Sequence, residues 1–140
     1  METALVKFTE YGLSFLCADV HTIISPESLT RLLFAENGDV VIAFCFSNCS
    51  DVSLKTVQYC KDAGATIVAL SNSQLSPLAK LGDITLVAKT EDESFIDSLI
   101  APMSVSNALL SALISDRNNE LREKMNSLGN VWHEYYVEEK

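Results

Sequence analysis

Continuous apolar runs alternate along this chain with stretches whose apolar residues recur every third or fourth position. Residues 39–46, DVVIAFCF, and 65–71, ATIVALS, are unbroken apolar runs. That pattern suits strands buried on both faces, as in a parallel sheet. DITLVAK at 83–89 reads as a third such strand, and LSFLCA at 13–18 is a short strand candidate.

The intervening stretches have helical spacing. ETALVKFTEY (2–11) places Leu5, Phe8 and Tyr11 on one face, with Gly12 as a stop. In SPESLTRLLFAENGD, Ser25 is a cap, Pro26 a first helical residue, and Leu29, Leu32 and Leu33 an i, i+3, i+4 stripe closed by Asn37-Gly38. SDVSLKTVQYCKDAG offers Val52, Val57, Cys60 and Ala63 for burial and stops at Gly64, while SPLAKLG (76–82) is a short helix capped by Ser76. Strands and helices alternating through short connections predict a parallel sheet of about four strands with helices on both faces.

Beyond residue 90 the pattern is helical. Leu99, Ile100, Met103, Leu109, Leu110, Leu113 and Ile114 are dense enough to predict a largely buried helix that Pro102 starts or kinks. A last helix carries Leu121, Met125, Leu128, Trp132 and Tyr136 despite Gly129. No repeat or linker divides the chain, so residues 1–140 read as a single α/β domain with a helical C-terminus.

Composition narrows the function. With 48% hydrophobic and 21% charged residues the chain is globular. A net charge of −9 and no basic cluster argue against nucleic-acid binding. No apolar run reaches the roughly 20 residues of a membrane span, and no secretory leader is visible, so a cytoplasmic setting is expected. Cys17, Cys45, Cys49 and Cys60 lack zinc spacing and read as ordinary reduced thiols, with a metal or redox role for Cys45 and Cys49 at the mouth of one strand as the alternative. Five scattered glycines form no dinucleotide or phosphate loop, and no cofactor is implied. Glu91, Glu93 and Asp97 form an acidic patch without the marks of an acid–base pair. A Cys45 nucleophile with His21 as base is a formal possibility only.

In open α/β sheets, ligands collect where strands end and helices begin. Here those ends read CFSNCSD (45–51) and LSNSQLS (70–76), rich in hydroxyls and small residues. Helix N-termini carry free N–H groups and partial positive charge, which suits a phosphate or carboxylate. Ser47, Asn48, Ser50, Ser71 and Ser73 are the candidates. The same residue types also cap helices without binding anything, and both readings stand at this stage.

Residues 39–86 closely resemble the core of the SIS (sugar isomerase) domain, in particular the effector-binding domain of RpiR/MurR-type transcriptional regulators. The family's Ser-x-Ser-Gly-x-Thr phosphate loop corresponds to Cys45-Phe46-Ser47-Asn48-Cys49-Ser50. ATIVALSNSQLSPLAKLGD, at 65–83, matches its next strand, turn and Ser-Pro-Leu-Ala helix almost position for position. The resemblance implies a flavodoxin-like strand order and a sugar phosphate or amino-sugar phosphate held by Cys45, Ser47, Asn48, Ser50, Ser71 and Ser73. It also implies a sensing role without catalysis, and the surplus apolar surface of residues 99–114 predicts a homodimer or higher oligomer. Two departures stand out. Cys45 and Asn48 replace the loop's Ser and Gly. The family's first strand, with its Gly-x-Gly-x-Ser turn, and its DNA-binding head have no counterpart here. A phosphosugar isomerase and a degenerate module that only dimerises are the alternatives.

Overall fold

The computed structural model describes residues 2–90 and 98–137. Its elements are α1 (Glu2–Ser14), a 3-10 helix (Pro26–Phe34), β1 (Val40–Cys45), α2 (Asp51–Asp62), β2 (Thr66–Ser71), α3 (Pro77–Leu81), β3 (Ile84–Val87), α4 (Ile100–Asp116) and α5 (Asn118–Val137). The three strands are parallel in the order β1-β2-β3. That order matches the half of a flavodoxin-like sheet whose strands follow one another in sequence.

Each face of the sheet is covered. Val41, Ala43, Cys45, Ile67 and Ala69 point to one side, where they pack with Val57, Cys60 and Leu78 of α2 and α3 and with Leu32 of the 3-10 helix. Ile42, Phe44, Val68, Leu70 and Leu86 point to the other, against Leu5 of α1 and Met103 and Val105 of α4. The alternation of odd and even residues between two helical layers is what an unbroken apolar strand requires.

Among the described residues three strands form where about four were expected. Residues 13–14 continue α1, and 15–18 leave it in a turn. Gly12 does not stop that helix because it faces α4. A β-carbon there would lie 2.8 Å from Leu110 Cδ2 and 3.1 Å from Leu110 Cγ. Only a glycine lets the two helices approach so closely.

The 3-10 geometry of residues 26–34 also changes what is buried. With three residues per turn, Leu29, Leu32 and Ala35 share one row. Leu33 turns outward and is 76% exposed. Its start is capped by Ser28, whose hydroxyl accepts the Ile24 and Ser25 amides at 3.1 Å each. Farther on, α2 ends as expected. Gly64 takes φ 96°, its amide reaches Lys61 O, and the Ala65 amide reaches Cys60 O, a Schellman closure.

Asp83 then joins the sheet to α2. Its Oδ2 accepts the Ile67 amide at 2.8 Å, while its Oδ1 takes Lys61 Nζ at 3.0 Å. The Asp83 amide donates to Ile67 O in return. The Ile67 amide, and after it the Lys61 ammonium, hold the Asp83 carboxyl below its ordinary range.

Along β1 the backbone groups alternate. Asp39 O receives the Thr66 amide, so Asp39, Val41, Ala43 and Cys45 face β2. Val40, Ile42, Phe44 and Phe46 therefore face away from it. Among the described residues the Phe46 amide alone of these four finds an acceptor, Glu2 Oε1 at 3.0 Å.

The C-terminal helices bury less than their apolar content predicts. Leu110 is buried, and Leu99 and Met103 pack against the sheet, but Ile100 is 78% exposed. Leu113, Ile114, Met125, Leu128 and Val131 are exposed as well. Val52, expected inside, also faces solvent, and Leu54 packs on the core in its place. No described helix is long and apolar enough to cross a membrane.

Candidate functional site

Cys45 pairs with Ser71, and Ser71 with Val87, so the three strands end level with one another. Adjacent strands lie about 4.8 Å apart, and the 46–50 and 72–76 turns therefore leave the sheet side by side. Each opens a helix. Ser50 caps α2 by accepting the Ser53 amide at 3.1 Å, and Ser76 caps α3 by accepting the Ala79 amide at 3.1 Å. The contact from Glu2 to Phe46 brings the start of α1 to the same edge.

Donor groups accumulate at the first turn. Among the described residues, the amides of Ser47, Asn48, Cys49, Ser50, Asp51 and Val52 meet no protein acceptor. Ser47 and Asn48 are exposed, and the buried Phe46 anchors the turn beneath them. Six consecutive unpaired donors at the N-terminus of a 12-residue helix give the turn the chemistry that suits an anion. Asp51 opposes it with a like charge in the first turn.

The six expected ligand residues fall into different roles. Ser47 and Asn48 are open to solvent. Ser50 is a helix cap, and its hydroxyl also lies 2.8 Å from that of Ser53. Ser73 is half-buried and accepts the Leu75 amide at 3.1 Å, which shapes the second turn.

Two expectations need correction. Ser71 is fully buried, and its hydroxyl donates to Ser76 Oγ at 2.6 Å, so it supports a cap from within the fold. Cys45 is 5% exposed and bonded to Cys49, with Cα atoms 5.5 Å apart. Two separate thiols were expected there. The bond leaves Cys45 no thiolate with which to act as a nucleophile beside His21. The remaining cysteines are free: Cys17 is exposed, while burial, and secondarily the charge of Asp39, pushes the Cys60 thiol up.

Glu2 is the residue that sequence reasoning missed at this edge. An acidic residue in the first turn of a helix was the available signal, but nothing in the sequence links it to residue 46. The acidic patch of Glu91, Glu93 and Asp97 lies outside the described residues. Two open concavities occur elsewhere, one at the junction of α4 and α5 and one between α1 and residues 17–20. The turns at the strand ends form an open shelf.

The fold is shared with known proteins. An uncharacterized HTH-type transcriptional regulator of Caldanaerobacter subterraneus subsp. tengcongensis is 28% identical over 123 residues, covering 84% of this chain and 42% of the regulator. The chain thus spans less than half the length of that relative. The sugar isomerase domain of the RpiR transcription factor from Sphaerobacter thermophilus superposes with a TM-score of 0.80 at 22% identity, over 91% of this chain and 72% of that one. The Vibrio vulnificus NanR protein, solved in complex with ManNAc-6P, superposes with a TM-score of 0.74 at 16% identity, over 93% and 51% of the two chains. The model of the SIS domain family matches residues 13–112, most of the sequence, and this chain belongs to that family.

Proposed function

We propose that this chain is a sugar-phosphate-binding, effector-sensing module of an RpiR-type transcriptional regulator. The observation that carries the reading is the run of unpaired amides from Ser47 to Val52 at the start of α2. A phosphate over that turn accepts several of them at once, and the Ser47 hydroxyl and Asn48 amide complete its shell. The sugar extends over the neighbouring turn toward Ser73. Support for the ligand class comes from NanR, whose structure holds ManNAc-6P. Amino-sugar phosphates are accordingly the first compounds to try.

The module works in the cytoplasm as a homodimer. Ile100, Leu113 and Ile114 of α4 and Met125, Leu128 and Val131 of α5 are exposed, and a second copy is the partner that buries them. With a net charge of −9 the chain does not bind DNA itself.

Calorimetry against a panel of amino-sugar and pentose phosphates, ManNAc-6P included, tests the reading. Saturable binding is expected, weakened about tenfold or more by Ser47→Ala, because a charge-assisted hydrogen bond contributes about 1.5–3 kcal/mol. A folded protein that binds none of them sinks the proposal and leaves a dimerisation module. Interconversion of aldose and ketose phosphates during incubation replaces the sensor with an isomerase.

A further inference from the structure

We infer that Cys45 and Cys49 form a redox latch that closes the anion-binding turn, so that the thiol–disulfide state of the protein sets its affinity for phosphorylated ligands. The inference rests on the reading of the 46–50 turn as a phosphate cradle. Its own ground is the covalent bond and what that bond encloses.

The disulfide spans only Phe46, Ser47 and Asn48. Four residue steps of extended chain reach about 13 Å, whereas the two Cα atoms lie 5.5 Å apart, so the turn is folded back on itself. No backbone hydrogen bond among the described residues closes it. The Phe46 amide goes to Glu2, and the Ser47, Asn48 and Cys49 amides have no protein acceptor. The sulfur bridge is therefore what holds the turn shut, and it leaves the turn's donors unspent for a ligand.

A bridge across so few residues constrains the unfolded chain much less than one closing a long loop. Its position therefore suits a switch better than a staple, and in reducing compartments the disulfides that do occur are mostly catalytic or redox-sensing.

The chemistry balances with a low-molecular-weight disulfide of the glutathione class as oxidant. The Cys49 thiolate, more exposed than Cys45 and next to the free amides that begin α2, attacks one sulfur of the oxidant and expels one thiolate. The Cys45 thiol, losing its proton, then attacks Cys49 in the mixed disulfide and releases the second thiolate. Two electrons pass from the cysteine pair to the oxidant, which leaves as two thiols carrying the two protons. An excess of the same thiol reverses both steps.

The closed turn is pre-organised for the anion, whereas the open turn must be ordered on binding. Oxidised protein is expected to bind about tenfold or more tightly than reduced protein. The experiment equilibrates the full chain in glutathione buffers of graded ratio, traps thiols by alkylation and reads them by mass spectrometry. Titration with ManNAc-6P and with inorganic phosphate follows in the fully oxidised and fully reduced states. Cys49→Ser should behave as the reduced protein in every buffer, and Cys17→Ser as the parent.

Alkylation of both Cys45 and Cys49, carried out in denaturant after equilibration with glutathione disulfide, overturns the latch, whatever the ligand does. A disulfide that forms while affinity stays equal overturns its control of binding. If neither probe binds in either state, the phosphate reading fails, and NMR order parameters of the Ser47 and Asn48 amides judge the latch alone. Rigid amides on oxidation and mobile ones on reduction support it, and equal values overturn it.

Discussion

Gly12 separates α1 from α4, and the close approach there can be measured as a coupling energy. Gly12→Ala has two opposed effects. Replacing glycine by alanine in a helix interior gains up to about 1 kcal/mol, and less here, because Gly12 lies two residues before the end of α1. Against this, the new methyl group meets Leu110 at Cδ2 and Cγ, 2.8 and 3.1 Å away. Leu110 is 4% exposed, so its side chain must shift within packed surroundings. Forcing an extra methyl group into such packing costs about 1–3 kcal/mol. The single variant should lose about 0–3 kcal/mol, or roughly 4 °C of melting temperature per kcal/mol for a domain near this size. Leu110→Ala alone should cost about 2–5 kcal/mol. In that background the alanine at position 12 has room, so Gly12→Ala becomes stabilising. The cycle then shows a coupling of about 1–3 kcal/mol. Urea unfolding followed by circular dichroism, at one fixed protein concentration, reads all four corners. A coupling below about 0.5 kcal/mol, the usual limit of additivity, would refute the account of why α1 holds a glycine there.

Gly129→Ala is the contrasting substitution: nothing lies within 4 Å of the added methyl group in the middle of α5. With no described side chain in its way, it should stabilise by up to about 1 kcal/mol in the same assay. Asp83→Asn should destabilise the fold at neutral pH. Because the folded Asp83 carboxyl titrates below its ordinary range, its contribution is complete above about pH 4 and vanishes as pH falls through the lowered value. Denaturation curves of parent and variant should therefore converge in acid, and a gap that widens there contradicts the assignment. With the Cys45–Cys49 bond intact, iodoacetamide should label Cys17 promptly and Cys60 only on unfolding, since burial raises the Cys60 thiol. Rapid native labelling of Cys60, read by peptide mapping, would mean that the α2 core is open. Ser71→Ala should cost about 1 kcal/mol, the value of one buried hydroxyl pair, without the tenfold loss of ligand affinity expected at Ser47.

What could be read in advance depended on whether a signal was local. Residues 65–83 carry their structure in short-range chemistry: an unbroken strand, a serine cap with a proline behind it, and Gly82 at the end. The Ser47–Ser50 turn was legible as a helix start for the same reason. The readings that failed depend on partners distant in sequence. Gly12 looks like a stop until Leu110 is known to lie against it. LSFLCA is short and apolar, and only tertiary context decides whether such a run pairs as a strand. Ser71 looks like a ligand hydroxyl until Ser76 is seen to accept its hydrogen bond. Ile100, Leu113 and Ile114 look like core because hydropathy does not say which way a side chain faces, and all three are exposed. Cys45 and Cys49, four residues apart, match no metal spacing, and their bond depends on how tightly the turn folds back.

The alternating backbone of β1 gives that strand two populations of amide hydrogens. Those of Val41, Ala43 and Cys45 face β2, in the ladder to the neighbouring strand, and should exchange with solvent deuterium only when the sheet itself opens. Those of Val40, Ile42 and Phe44 face the side without a strand and should exchange far sooner. Protection would then rise and fall with every second residue along one continuous apolar run. Phe46 breaks the rhythm at its end, since its hydrogen is held by the Glu2 carboxylate. Its exchange rate consequently reports whether α1 is docked on the strand, independently of whether the sheet is intact.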